Sequence, residues 1–172
     1  MGNIPEYVYS MAEYTPVIDV ALAVLNEAFP DLAAEGKIVS LLPDKADKIP
    51  LILVRDSYDQ GWAGQHYGLE TATVEIHVFT QDPDADGYIE GVPSGEVQGA
   101  VLSEAIRVAM RDAWLAKSVY PGVASIANIQ MVSRPRRVTD WATATGPVQY
   151  ANLPTGYWRH ESTYRITYRS LP

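Results

Sequence analysis

The chain has 172 residues, 47% of them hydrophobic and 20% charged, with a net charge of −8 and no cysteine. That length fits one domain able to bury roughly 70% of the surface its unfolded chain exposes. The lack of cysteine excludes disulfides, thiolate metal sites and cysteine nucleophiles, and suits a reducing cytosol.

Thr15-Pro16 reads as a helix start, an N-cap hydroxyl followed by proline at the first helical position. Ile18, Ala21, Leu22, Leu25 and Phe29 then recur at helical spacing, and Pro30 stops the helix. Lys37 to Leu42 is a short apolar run that fits a strand, and Leu51 to Val54 a buried one. Asp56 to Gly68 is a glycine and aromatic loop carrying Trp62. Leu69 to Thr80 alternates, with Ala72, Val74, Ile76 and Val78 on one face and Thr71, Thr73, Glu75 and His77 on the other. After an acidic loop, Ser94 is placed to cap a long helix whose Leu102, Ala105, Ile106, Ala109, Met110, Ala113 and Trp114 share a face. Pro121-Gly122 ends that unit. Ile126 to Ser133 reads as a less regular strand, and Trp158 to Arg169 alternates cleanly. The order predicts one α+β domain over residues 1–172, with a mixed, largely antiparallel sheet of four to five strands and two helices on one face.

Pro135 to Tyr157 follows neither period. A loop of that length in a compact domain is uncommon and usually functional. It holds Arg136, Arg137, Trp141, Tyr150 and Tyr157, the residue types that dominate protein–protein hot spots. With Trp62 these are the interaction candidates, and the segment is expected to be an extended arm docking on a neighbouring subunit or ring.

Chemistry is sparsely signalled. Asp82, Asp84 and Asp86 before Gly87 match the first half of a calcium loop, but Pro93 stands where a bidentate glutamate should close it. An acidic surface turn is the expected state, with no metal and no cofactor. His66, His77 and His160 show no HxH or HExxH spacing, and no nucleophile-elbow or phosphate-loop motif occurs. Arg159, Arg165 and Arg169 alternate with threonines on one face of the last strand. Trp158, Tyr164 and Tyr168 fall on the other, so no stacking platform for nucleic acid forms. The aromatics are expected in the core and the arginines on a solvated or inter-subunit face. Residues 1–100 carry 17 acidic and 4 basic side chains, residues 101–172 carry 4 and 9. Such asymmetry suits either complementary faces meeting between subunits or ordinary solvated surface. No apolar run approaches the roughly 20 residues that cross a bilayer. Residues 1–14 lack a signal-peptide pattern, so no membrane association is expected.

Two runs, IPLILVRDSYDQGWAGQHYGLETATVEIHVFTQ from Ile49 and QMVSRPRRVTDWATATGPVQYANLPTGYWRHESTYRITYR from Gln130, resemble neck proteins of long-tailed bacteriophages of actinobacteria. These are tail terminators or head-to-tail connectors. The resemblance includes the helix from Val101 to Lys117 and fades at residues 1–14 and 86–99. It implies an α+β fold, no enzymatic activity and a homo-oligomeric ring, a hexamer in tail terminators. Such a ring caps the tail tube, meets the head connector and lies in the virion after assembly in the host cytoplasm. DNA would pass through without specific binding, and Asp82, Asp84 and Asp86 are candidates to line the channel. Another neck ring is the neighbouring reading. A metal-dependent enzyme built on the acidic loop is the reading of a different class.

Overall fold

The computed structural model describes residues 15–42, 49–57, 69–83, 90–138 and 156–171. Helix α1 (Val17–Ala28) buries Val17, Val20, Ala21, Val24 and Leu25, with Ile18, Leu22 and Phe29 packed at the margin of the same core. Its N-cap is Pro16, with no side-chain cap. The Thr15 hydroxyl instead donates to the Val123 carbonyl at 2.8 Å, and the Thr15 N–H donates to Ser170 Oγ at 2.8 Å. The expected capping hydroxyl is therefore engaged across the fold, tying the helix start to the sheet. Pro30 does more than stop α1: it opens a one-turn helix, α2 (Pro30–Ala34).

The remaining elements are β1 (Ile38–Val39), β2 (Leu51–Asp56), β3 (Glu70–Gln81), α3 (Gly95–Leu115), β4 (Val119–Tyr120), β5 (Ala124–Arg137) and β6 (Tyr157–Ser170). They form a six-stranded sheet in the order β1-β2-β3-β6-β5-β4. Only β1 and β2 are parallel. The mixed, largely antiparallel α+β fold is as expected from the sequence. The strand count exceeds the expectation because β4, two residues long, is too short to leave a periodic signal.

Alternation decides the two faces. Val74, Ile76 and Val78 of β3, Ile126 and Ile129 of β5, and Tyr164, Ile166 and Tyr168 of β6 join α1 and α3 in one buried cluster. The expectation of core aromatics on β6 holds for Tyr164 and Tyr168, whereas Trp158 is only half-buried and lies outside that cluster; both long helices cover that face. The phenolic proton of Tyr168 is shared between the Thr15 carbonyl at 2.6 Å and Glu70 Oε2 at 2.8 Å. On the reverse face Leu51, Leu53 and Phe79 form a smaller apolar cluster with Val39, Leu42 and Ile49.

Next to that cluster the arginine row departs from expectation. Arg165 and Arg169 are exposed, but Arg159 is buried. Its guanidinium donates to Glu161 Oε2 at 2.9 Å and to His77 Nδ1 at 3.1 Å. Register explains this: β6 lies centrally, with His77 and Glu161 directly paired and Arg159 opposite Phe79. Arginine only donates, so His77 Nδ1 accepts, and its proton sits on Nε2 facing Glu75 Oε2 at 3.6 Å.

Gly95, Gly99 and Ser103, spaced four apart, form the sheet-facing edge of α3. A Cβ on Gly95 would fall 2.5 Å from the Gln81 carbonyl carbon, and one on Gly99 2.5 Å from His160 Nδ1. The helix therefore lies against β3 and β6 at a distance only glycine permits.

Candidate functional site: an arginine-lined groove between α3 and β5

β5 runs on to Arg137, so the irregular segment expected from Pro135 to Tyr157 is strand at both ends. Arg136 pairs with Glu161, Arg137 with His160, and Tyr157 with Gln81. The strand expected over Ile126 to Ser133 is there, but its continuation to Arg137 escaped recognition because three bulges break the alternation, after Ile126, Met131 and Ser133. Pro135 sits in the last bulge, where a strand tolerates proline. Trp62, Asp84, Asp86, Trp141 and Tyr150 lie outside the described residues, as does His66.

The extended β5 and α3 enclose a groove of about 580 Å³. Arg107 and Glu104 come from the helix, Arg134, Arg136 and Arg137 from the strand, and Met131, Pro135 and Ala100 supply apolar lining. A second hollow of about 160 Å³ shares Arg107 and Met131 and continues to Trp114 and Tyr164. The Tyr164 hydroxyl is buried, and that burial raises its pKa.

Three of the four groove arginines hold a carboxylate. Arg107 Nε donates to Glu104 Oε1 at 2.7 Å, lowering the Glu104 pKa and raising its own. Arg136 lies 3.4 Å from Glu161 Oε1, and Arg137 donates to Glu96 Oε1 at 2.8 Å. Arg137 also stacks on Trp158, 4.2 Å from the ring centroid. The Trp158 indole N–H donates to Asp82 Oδ1 at 2.8 Å, and the same oxygen accepts from Gly95 N at 2.8 Å. Asp82 thus clamps the start of α3 onto β6. No group of three or more histidine, aspartate or glutamate side chains suited to a metal occurs among the described residues. The expected anchors Arg136 and Arg137 therefore meet in one groove. Arg134 and Arg107 were missed as partners, although the run Arg-Pro-Arg-Arg at 134–137 was a visible signal.

Beside the groove, Val97 (50% exposed) and Val101 (65%) lie one turn apart on the outer face of α3. Valine is a poor choice for a solvated helix face, where straight-chain polar residues lose less entropy. An apolar patch next to arginines has the composition of an interface. No family model matches the chain, and no curated protein matches it either. Among the described residues no helix is long and apolar enough to cross a membrane.

His160 lies against the groove and α3, and burial is the first cause that lowers its pKa. Glu75 is held below the usual carboxylate range, chiefly by its hydrogen bond with His77. Both shifts have the same sign for stability: where the folded value lies below the unfolded one, the unfolded chain takes up the proton first. The His160 contribution is complete above its ordinary 6.5 and declines as pH falls through its folded value; the Glu75 contribution declines below its ordinary 4.5. Asp56, raised by burial, works the other way from its ordinary 3.8. The thermal midpoint should hold above about pH 6.5, drop on acidification below it, and drop again below about pH 4.5. His160→Gln should remove the first drop and keep the second. A native midpoint flat between pH 7 and 5 would contradict this assignment.

Proposed function

We propose that the chain is a structural protein of a bacteriophage neck, a tail terminator whose copies form a ring on the end of the tail tube and meet the head connector. The observation that carries this reading is the flank formed by α3 and β5, where exposed valines adjoin an arginine-lined groove. That combination is built for burial against another protein surface. The likeness of Ile49–Gln81 and Gln130–Arg169 to phage neck proteins supplies the context. On this reading part of the acidic excess of residues 1–100 faces the channel, where carboxylates repel passing phosphates, and part is left to meet a neighbouring copy. Asp82 serves that purpose least directly, since Trp158 and Gly95 hold its carboxylate oxygen.

Native mass spectrometry and negative-stain imaging test the reading. A sixfold ring that stops elongation when added to polymerising tail tubes is the expected result. A twelvefold ring would shift the assignment to the head-to-tail connector, the other neck ring. A chain that stays monomeric both alone and on tail tubes would sink the proposal.

A further inference from the structure

We propose that the α3–β5 groove receives a neighbouring copy of this chain, with a carboxylate-bearing segment of that copy lying on Arg134 and Arg107. This rests on the ring reading above and names the contact that would build the ring. Arg134 is the groove arginine that makes no direct ion pair among the described residues, though its charge acts on Glu104; Arg107, Arg136 and Arg137 already hold Glu104, Glu161 and Glu96. A guanidinium left over in a groove with Met131 and Pro135 suits a side-chain carboxylate on an extended chain. Val97 and Val101 give the adjoining surface an apolar component that a carboxylate site alone does not need.

Charge selects the occupant. A second copy brings 17 acidic against 4 basic side chains in its first 100 residues, far more carboxylate than that part neutralises itself. The groove belongs to the part with the opposite excess. The same charges set the symmetry of the contact. A twofold contact centred on Arg134 would place it against its own copy, which is repulsive. The contact is therefore between two different patches, head to tail, and such contacts close into rings when the rotation allows. A nucleic-acid backbone fits the groove less well, because three of its four arginines are engaged and much of its lining is apolar.

Two charge reversals separate this contact from general electrostatics. Arg134→Glu and Arg165→Glu alter net charge equally, and both residues are exposed. Arg134 lines the groove, while Arg165 lies on the reverse face of β6. Val101→Asp tests the apolar component. Native mass spectrometry across a concentration series should show the native chain and Arg165→Glu forming the same ring. Arg134→Glu and Val101→Asp should need roughly tenfold or more protein to assemble, with thermal midpoints close to native. A native ring that persists undiminished in both groove variants overturns the contact while leaving the ring reading intact. So does equal loss in Arg165→Glu. Rings that survive Arg134→Glu while binding to a short DNA duplex is lost would assign the groove to phosphate and overturn the proposal. A native chain that never assembles, alone or on tail tubes, removes the ring reading and this contact together.

Discussion

Replacing Arg159 by methionine should lower the stability of the domain by about 3 to 5 kcal/mol, the usual cost of removing one partner from a buried ion pair. The side chain is only 3% exposed and joins Glu161 to His77 on the reverse face of the sheet. Methionine fills much of the same volume, so the loss would come from charge left behind. Glu161 would keep only longer contacts, with the exposed Arg136 at 3.4 Å and with His77 at 3.7 Å, and His77 Nδ1 would lose its Arg159 donor. Chemical denaturation of the native chain and Arg159→Met measures the difference. The pair variant Arg159→Met with Glu161→Gln should recover part of it, because the stranded carboxylate is then gone. A single variant within about 0.5 kcal/mol of native would mean the cluster contributes no more than an ordinary surface site.

Gly95→Ala should also be severe, and its sign is informative. In an exposed helix the change would stabilise by up to about 1 kcal/mol. Here the added methyl would sit 2.5 Å from the Gln81 carbonyl carbon and 2.7 Å from Asp82 N, backbone atoms that cannot rotate away. Overpacking of this kind typically costs 1 to 3 kcal/mol, and the rigid neighbours put Gly95→Ala near the upper end, a net loss of about 2 kcal/mol. Displacing the helix start would also break the hydrogen bond from Gly95 N to Asp82 and loosen the Trp158–Arg137 stack. The groove would then lose its geometry together with stability, visible as a red-shifted tryptophan emission before global unfolding. A stabilised Gly95→Ala would show that α3 sits farther from the sheet than described.

The parts of this fold legible in the sequence are those where one physical rule acts alone. β3 and β6 each separate a helix-covered face from a reverse face, so strict alternation revealed both. α3 was legible from Ile106, Met110 and Ala113, whose burial follows the helical period. The end of β5 is hidden in the sequence, because three bulges reset its alternation and Pro135 follows no strand rule except at a bulge. Thr15 failed as a cap because Pro16 takes the N-cap position and the Thr15 hydroxyl donates instead to the carbonyl of Val123, distant in sequence. Arg159 failed for the same kind of reason: its burial depends on His77 of another strand, which no local pattern records. The candidate groove shares that limit. Arg136 and Arg137 stood out by type, but Arg107 and the outward valines joined them only once β5 lay beside α3. The spacing of Gly95, Gly99 and Ser103 was a readable sign of close helix–sheet approach.

The strand order has a consequence for how the protein is made. β6 is the last described strand to leave the ribosome, yet it occupies the middle of the sheet, with β3 on one side and β5 on the other. Until it emerges, β3 has only β2 beside it and the helix-covered core lacks Tyr164, Ile166 and Tyr168. Nascent chains therefore carry two separate half-sheets with bare hydrogen-bonding edges, and closure waits for distant pairings such as Glu70 with Tyr168, 98 residues apart. Topologies dominated by such distant pairings fold slowly, so the growing polypeptide stays exposed to proteases and to other unfinished copies through most of its synthesis.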